Sequence, residues 1–255
     1  RSTRAAVKMH TLYDISGGFP EEIQMTEGIT HDTDKMSTFL TVPGITYLFD
    51  RGYLDYKEYD RCTKEGIFFI TRLKKNAVIE VITENAVLDG SPILSDKEVI
   101  LGGFYTRMQH SLRIVEVVDS STGEPFFILT NRFDLSPEEI ADIYRLRWQI
   151  ELFFKWIKQH LKIKKFHGTS YNAVLNQLYA ALILFLLLKL MHILVGPQYD
   201  FLKLVRLVAR GLWNPIDFLK DTLTAVKPPG QKQKPFNWKR EYASLLAQCL
   251  VSKRY

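Results

Sequence analysis

The chain has 255 residues, 46% of them hydrophobic and 24% charged, the balance of a folded globular protein, which excludes disordered, collagen-like and low-complexity classes. Its 34 Lys and Arg against 28 Asp and Glu leave a net charge of +6, an excess that favours a polyanionic partner such as nucleic acid without requiring one. Two widely separated cysteines, Cys62 and Cys249, exclude a disulfide framework and a CxxC zinc site and fit a reducing compartment.

Arg1-Ser2-Thr3-Arg4 opens without an initiator Met or the apolar stretch of a signal peptide, so a chain that continues upstream is expected. Val7 to Ile15 reads as a strand ended by Gly17-Gly18, with Glu21 to Ile29 as its hairpin partner. Asp34 to Leu40 is a short helix broken by Pro43-Gly44. Ile45 to Phe49 is a compact apolar strand with Asp50-Arg51-Gly52-Tyr53 at its end. Leu54 to Lys64 has helical spacing, and Gly66 to Leu73 is another buried strand. From Lys74 to about Glu124, alternating β-branched runs are separated by Asp89-Gly90, Gly102-Gly103 and Ser121-Thr122-Gly123, an antiparallel region with hairpin punctuation. Pro125 to Thr130 is one more strand, and helices dominate thereafter.

Ser136-Pro137-Glu138-Glu139 is a helix start, with Ser as cap, Pro at the first position and Glu139 closing a capping box. The spacing predicts a single helix from there to about His160. On a helical wheel Leu146, Ile150, Phe153 and Ile157 form a core stripe, while Tyr144, Arg147, Glu151 and Lys158 share a sector roughly 60° wide beside it. The ordinary account of such a sector is a solvated face with an Arg147–Glu151 pair at i, i+4. Lys155, Lys158, Lys162, Lys164 and Lys165, with His160 and His167, make the helix end basic, as a phosphate track or as a solvated terminus stabilised by the dipole. Trp148 and Trp156 read as packing residues. Leu178 to Val195 is nearly all apolar, but Lys189 and His192 interrupt it. The uninterrupted part falls short of the ~20 residues a bilayer needs, so a helix buried on all sides is expected and no membrane partner. Lys227 to Arg240 is a basic, Pro-rich loop.

The Y-x2-R-x3-E-x6-K spacing of Tyr144, Arg147, Glu151 and Lys158, within YRLRWQIELFFKWIK, resembles the signature of bacterial insertion-sequence transposases of the DDE type. Asp50 after a buried strand, Phe69-Ile70-Thr71-Arg72, and Ala5 to Asp14 resemble further parts of those proteins. The resemblance covers roughly residues 1–195. It implies an α/β fold: a ribonuclease-H-like mixed sheet with helices, interrupted by an antiparallel β insertion and followed by a helical C-terminal region. The expected division is 1–73, the first part of the core without its first strand; 74–124, the insertion; 125–195, the last strand and catalytic helices; and 196–255, helical and basic.

The function implied is metal-dependent cleavage of DNA at transposon ends and strand transfer into target DNA. Asp50 and Glu151 would be catalytic, holding two Mg²⁺ (or Mn²⁺) ions through hard oxygen ligands. Tyr144, Arg147 and Lys158, with Arg72, Lys155 and Lys162, would bind DNA. In this family an aromatic residue of the insertion can hold a flipped base; Phe104 and Tyr105 are candidates. The family's first Asp belongs upstream of Arg1, and Asp14, at the end of the second-strand match, is not expected to replace it. The chain alone is therefore expected to cut little or not at all. Implied partners are double-stranded DNA and a second copy on paired ends, in the bacterial cytoplasm at the nucleoid. The alternatives are a DNA-binding remnant without catalysis and a ribonuclease-H-like nuclease without strand transfer.

Overall fold

The apolar segments assemble into one hydrogen-bonded sheet. The computed structural model describes residues 7–88, 90–119, 122–161, 163, 165–196, 200–211, 213–214 and 247–254. Contacts divide the chain into two units, one formed by 1–154 with 243–255 and the other by 155–242. Lys162, Lys164 and the Lys227–Arg240 segment lie outside the described residues, so the phosphate-track and loop expectations for them have no structural counterpart.

In the first unit, β1 (Val7–Asp14) and β2 (Phe19–Glu27) pair as an antiparallel hairpin. The turn is closed by Asp14, whose carboxylate accepts the Ser16 and Gly17 amides at 2.8 and 2.7 Å. A 3-10 turn (Thr33–Lys35) and the one-turn α1 (Met36–Phe39) lead to β3 (Thr46–Phe49), which is buried throughout. The helix α2 (Tyr56–Lys64) starts on Asp55, which accepts the Lys57 and Glu58 amides, the usual way of satisfying free first-turn donors. It returns the chain to β4 (Phe68–Arg72), parallel to β3.

The β-rich stretch gives β5 (Ile79–Asn85), β6 (Ile93–Leu101) and β7 (Leu112–Val118), and the chain re-enters the core in β8 (Pro125–Thr130). β8 is antiparallel to both β4 and β7, so the insertion prolongs the same sheet. Gly102 has a positive φ, and a Cβ there would meet the Thr106 carbonyl oxygen at 2.1 Å. Only glycine fits this close approach, which sets out Phe104 and Tyr105 at the loop tip, 92% and 95% exposed.

The strand order is β2-β1-β9-β3-β4-β8-β7-β6-β5. The C-terminal strand β9 (Ala247–Arg254) was not anticipated within the helical C-terminal region. It runs antiparallel to β1 and parallel to β3, in the middle of the sheet. Under one face lies an apolar core containing Leu12, Phe39, Phe49, Tyr59, Phe69 and Leu129. Two polar side chains lock β8 to β4: Asn131 accepts the Phe69 amide at 2.9 Å and donates to the Ile67 carbonyl at 2.8 Å, and Thr130 donates to the Phe69 carbonyl. Each bond is formed where water cannot substitute, so its loss would leave a buried polar group unpaired.

After β8, Ser136 caps α3 (Pro137–Arg145) with a complete capping box: it accepts the Glu139 amide, and Glu139 accepts the Ser136 amide at 2.8 Å. The single helix expected to reach His160 is instead two. Leu146 and Arg147 form a joint, with Leu146, Arg147 and Gln149 amides bonding three residues back, to Ile143, Tyr144 and Leu146. α4 (Trp148–His160) begins after it. Neither Gly nor Pro stands there; the tightened i→i−3 bonding makes the break.

The second unit holds α5 (Tyr171–Val195) and α6 (Phe201–Gly211). α5 starts on Ser170, whose hydroxyl accepts the Ala173 amide at 3.3 Å. Trp156 packs on His160, Phe185 and Phe201, as expected of a packing residue. The expectation that the apolar helix is buried on all sides is corrected. Leu178, Ala181, Leu182, Phe185 and Leu188 are buried, but Ile183, Leu184, Leu187, Leu190, Ile193 and Leu194 are exposed. Only 28% of its most apolar window is covered, although it is long and apolar enough to cross a membrane. Lys189 places its ammonium 5.0 Å from the Phe201 ring centroid, an attractive contact that accommodates a charge within the apolar run.

Candidate active site

The site is assembled by the ends of two parallel strands and by the α3–α4 joint. Asp50 follows β3 directly, and its carboxylate accepts the Arg51 amide at 2.8 Å while its carbonyl accepts the Tyr53 amide. These bonds hold the turn that terminates the strand. Arg72 ends β4; the pairing of Phe49 with Thr71 makes it the next backbone neighbour of Asp50 on that side. Its guanidinium lies over Phe126 of β8, 4.7 Å from the ring centroid.

Tyr144 is on the last turn of α3, Arg147 on the joint, and Glu151 on the first turn of α4. The four-residue spacing expected on one helix is thus distributed over three pieces of backbone, yet the side chains still meet. Arg147 donates from Nη1 to Glu151 Oε1 at 2.8 Å and its guanidinium carbon lies 5.7 Å from the Tyr144 ring centroid. Both members of this pair are partly buried, which screens the interaction less than at an open surface.

Electrostatics tie Asp50 into the same group. Burial pushes the Tyr144 phenol up to about 12; the charges of Arg147 and Arg72 pull it down, and that of Asp50 pushes it up. For Arg147, burial works against the charged form, but Tyr144, Glu151 and Asp50 outweigh it and hold its pKa above the ordinary value. One arginine therefore feels both acids. Arg147 lies within electrostatic range of Tyr144, Glu151 and Asp50, and Tyr144 within range of Arg147, Asp50 and Arg72. Lys155 and Lys158 lie further along α4, the first exposed and the second half-buried.

Sequence reasoning missed part of this surface. A pocket of about 410 Å³ opens beside the group, lined by Arg72, Phe126, Tyr144, Arg145, Arg147 and Trp148, among others. Trp148, read as a packing residue, is 57% exposed and forms part of this wall. On a wheel drawn through an unbroken helix Trp148 falls about 200° from Leu146, opposite the core stripe, so its exposure was open to that reading. Asp14 is occupied by its turn, as expected of a structural acid. His10 is buried and bonded to Thr26 Oγ1 at 2.9 Å, while His31 is exposed.

The carboxylates have the hard-oxygen chemistry that Mg²⁺ and Mn²⁺ require. However, among the described residues no three His, Cys, Asp or Glu side chains come together in a group able to hold a metal. Glu151 is engaged by Arg147. The residues present are a partial donor set and do not by themselves fit a metal pair.

The profile of the transposase DDE domain matches residues 1–187 of this chain. The chain belongs to the transposase DDE domain family. Among curated relatives of this DDE domain, a putative transposase of Sinorhizobium fredii is 33% identical over 228 residues, covering 88% of this chain and 63% of the relative. A probable transposase for an insertion sequence element of Geobacillus stearothermophilus is 33% identical over 193 residues, 74% of this chain and 50% of its own. A putative insertion-sequence transposase of Synechocystis is 28% identical over 191 residues, 73% and 54% respectively. The chain thus spans between half and two thirds of these relatives.

Proposed function

We propose that this DDE domain grips and positions DNA for phosphodiester cleavage at transposon ends and for strand transfer into target DNA. The observation that carries the reading is the convergence of Asp50 and Glu151 on Arg147, within a chain of the transposase DDE domain family. In-line attack at phosphorus needs acids to hold divalent ions and cations to hold the phosphate. Asp50 and Glu151 supply two of the acids, which with a further carboxylate would hold Mg²⁺ or Mn²⁺; the metal would contribute Lewis acidity. Arg147 and Arg72 present planar guanidinium forks to phosphate oxygens. Tyr144, held protonated by burial, has a phenol O–H to donate to a phosphate oxygen. Lys155, Lys158 and Lys162 would add further phosphate contacts, and Phe104 and Tyr105 offer exposed rings to an extrahelical base. Two copies would act on paired ends in the bacterial cytoplasm.

The second reading, DNA binding without cutting, is favoured by one observation: among the described residues no three His, Cys, Asp or Glu side chains form a group that could hold a metal. A labelled transposon-end duplex incubated with the complete protein, Mn²⁺ and a plasmid target separates the readings. Joined product is expected. Hydrolysis without joining points to a nuclease, and binding with neither product points to the non-catalytic reading.

A further inference from the structure

The face that α5 leaves open is patterned. Outside the buried set of Leu178, Leu182, Phe185 and Leu188, Asn176, Ile183 and Leu190 recur every seventh residue, and Tyr179, Leu186 and Ile193 follow each of them three residues later. All six are exposed, the five hydrophobic ones between 38% and 59%. An apolar repeat averaging 3.5 residues is the seam by which two helices wind round one another, with the first set at its a positions and the second at d.

The seam carries its own preference for a partner. Ile at a with Leu at d, as in Ile183 and Leu186, fits two parallel strands, whereas Leu at a with Ile at d, as in Leu190 and Ile193, suits larger bundles. Asn176 decides between them. In a parallel pair an a-position Asn meets its own copy, and each amide can give and take a hydrogen bond; in other registers it meets hydrocarbon. Charge does not oppose contact of like with like. Tyr171–Val195 holds no Asp or Glu, and its single Lys, Lys189, lies over the Phe201 ring of α6. A seam without cations has nothing to hold DNA. The other side of the helix is packed, with Phe185 against Trp156 and Phe201, so α5 is not bare all round as a bilayer span is.

We infer that α5 is a dimerisation helix: its Asn176–Ile193 seam pairs in parallel with the same seam of a second copy. The contact runs about 26 Å, smaller than a permanent dimer interface. Free chains therefore pair only when concentrated, while two chains held on one DNA complex pair because they are already close. That last step rests on the proposed function; the pairing itself uses no residue of the candidate active site.

Sedimentation velocity on the full chain, without DNA, tests the pairing. Monomers are expected at about 1 μM and dimers at about 100 μM. Ile183→Glu, at an exposed position, is expected to weaken pairing at least about tenfold with helix content unchanged. Asn176→Ile is expected to tighten association and to give species larger than a dimer. Under oxidation Ile193→Cys, near one end of the seam, is expected to link two copies, which it can do only if the helices run parallel; the parent chain is the control. A chain still monomeric at about 100 μM, dimers untouched by Ile183→Glu, an Asn176→Ile chain that behaves like the parent, or an unlinked Ile193→Cys overturns the inference. So does a monomer that floats with phosphatidylglycerol vesicles, which assigns the stripe to a lipid surface. Ends cut and joined by a chain that never pairs remove the interface and leave the function. A chain that pairs but neither binds nor joins ends removes the function and leaves the interface.

Discussion

Arg147 donates to Glu151 at 2.8 Å from a joint between two helices, and the same guanidinium feels the charge of Asp50. On the proposed function, Arg147 offsets the charge of Glu151 and Asp50 and turns to a phosphate when DNA binds. Arg147→Ala is expected to weaken binding of a double-stranded oligonucleotide across sequences and to reduce the slope of log affinity against log salt by about one. Arg147→Lys should restore the slope but not the full affinity, because an ammonium lacks the fork. An unchanged slope in Arg147→Ala removes it from the phosphate contacts.

Glu151→Gln keeps the shape of the side chain and discards its charge. In the complete protein, cleavage is expected to fall on the order of 100-fold or more, as when one pre-placed charge-stabilising group is lost. End binding should stay close to the parent in a gel-shift titration. A mutant that nicks labelled ends at the parental rate removes Glu151 from the chemistry.

Much of this region was legible beforehand. Ser136, Pro137 and Glu139 announce α3 because a cap is chemistry local to four residues, and the structure contains both bonds of the box. Pro125–Thr130 was read to the residue, since an apolar run between turn residues fixes its own ends. The joint at Leu146–Arg147 was illegible: it breaks no propensity rule and exists only in the bonding of three amides. β9 was illegible for a different reason. Half its residues are polar, so no local pattern marks a central strand, and its partners lie more than 190 residues away in sequence.

Asp96 and Arg113 form a bidentate pair between β6 and β7, with both bonds at 2.8 Å and both residues buried. Arg113 also donates to the Leu135 carbonyl at 2.6 Å, just before the cap of α3. Asp96→Ala leaves this guanidinium buried without its anion, a loss of about 3–5 kcal/mol. Urea denaturation should report it, together with loosening of residues 132–136 in hydrogen exchange. A loss under about 1 kcal/mol, the scale of an exposed pair, would show that the cation finds solvent.

His10 provides a pH dependence separate from the site. Burial holds its pKa below the ordinary value, opposed by Asp32 and assisted by Lys8 and Lys35. Below the unfolded pKa of about 6.5 the unfolded chain binds a proton that the folded chain refuses. Stability from this group is therefore present above about pH 6.5 and is lost on acidification toward the lower folded pKa, by at most about 1.4 kcal/mol per pH unit. Melting temperatures should drop between pH 7.5 and 5.5, and His10→Gln should flatten the drop. An identical slope in the variant assigns it to other groups.

The bare side of α5 has a practical consequence. Twenty-five residues make a rod about 37 Å long, and Ile183, Leu187, Leu190 and Leu194 line it with aliphatic carbon open to solvent. A fluorescent dye that seeks apolar surface will light up on the native chain, where it ordinarily reports loosened packing. Dye-based melting curves should therefore start bright, and the unfolding step has to be followed by circular dichroism or tryptophan emission instead.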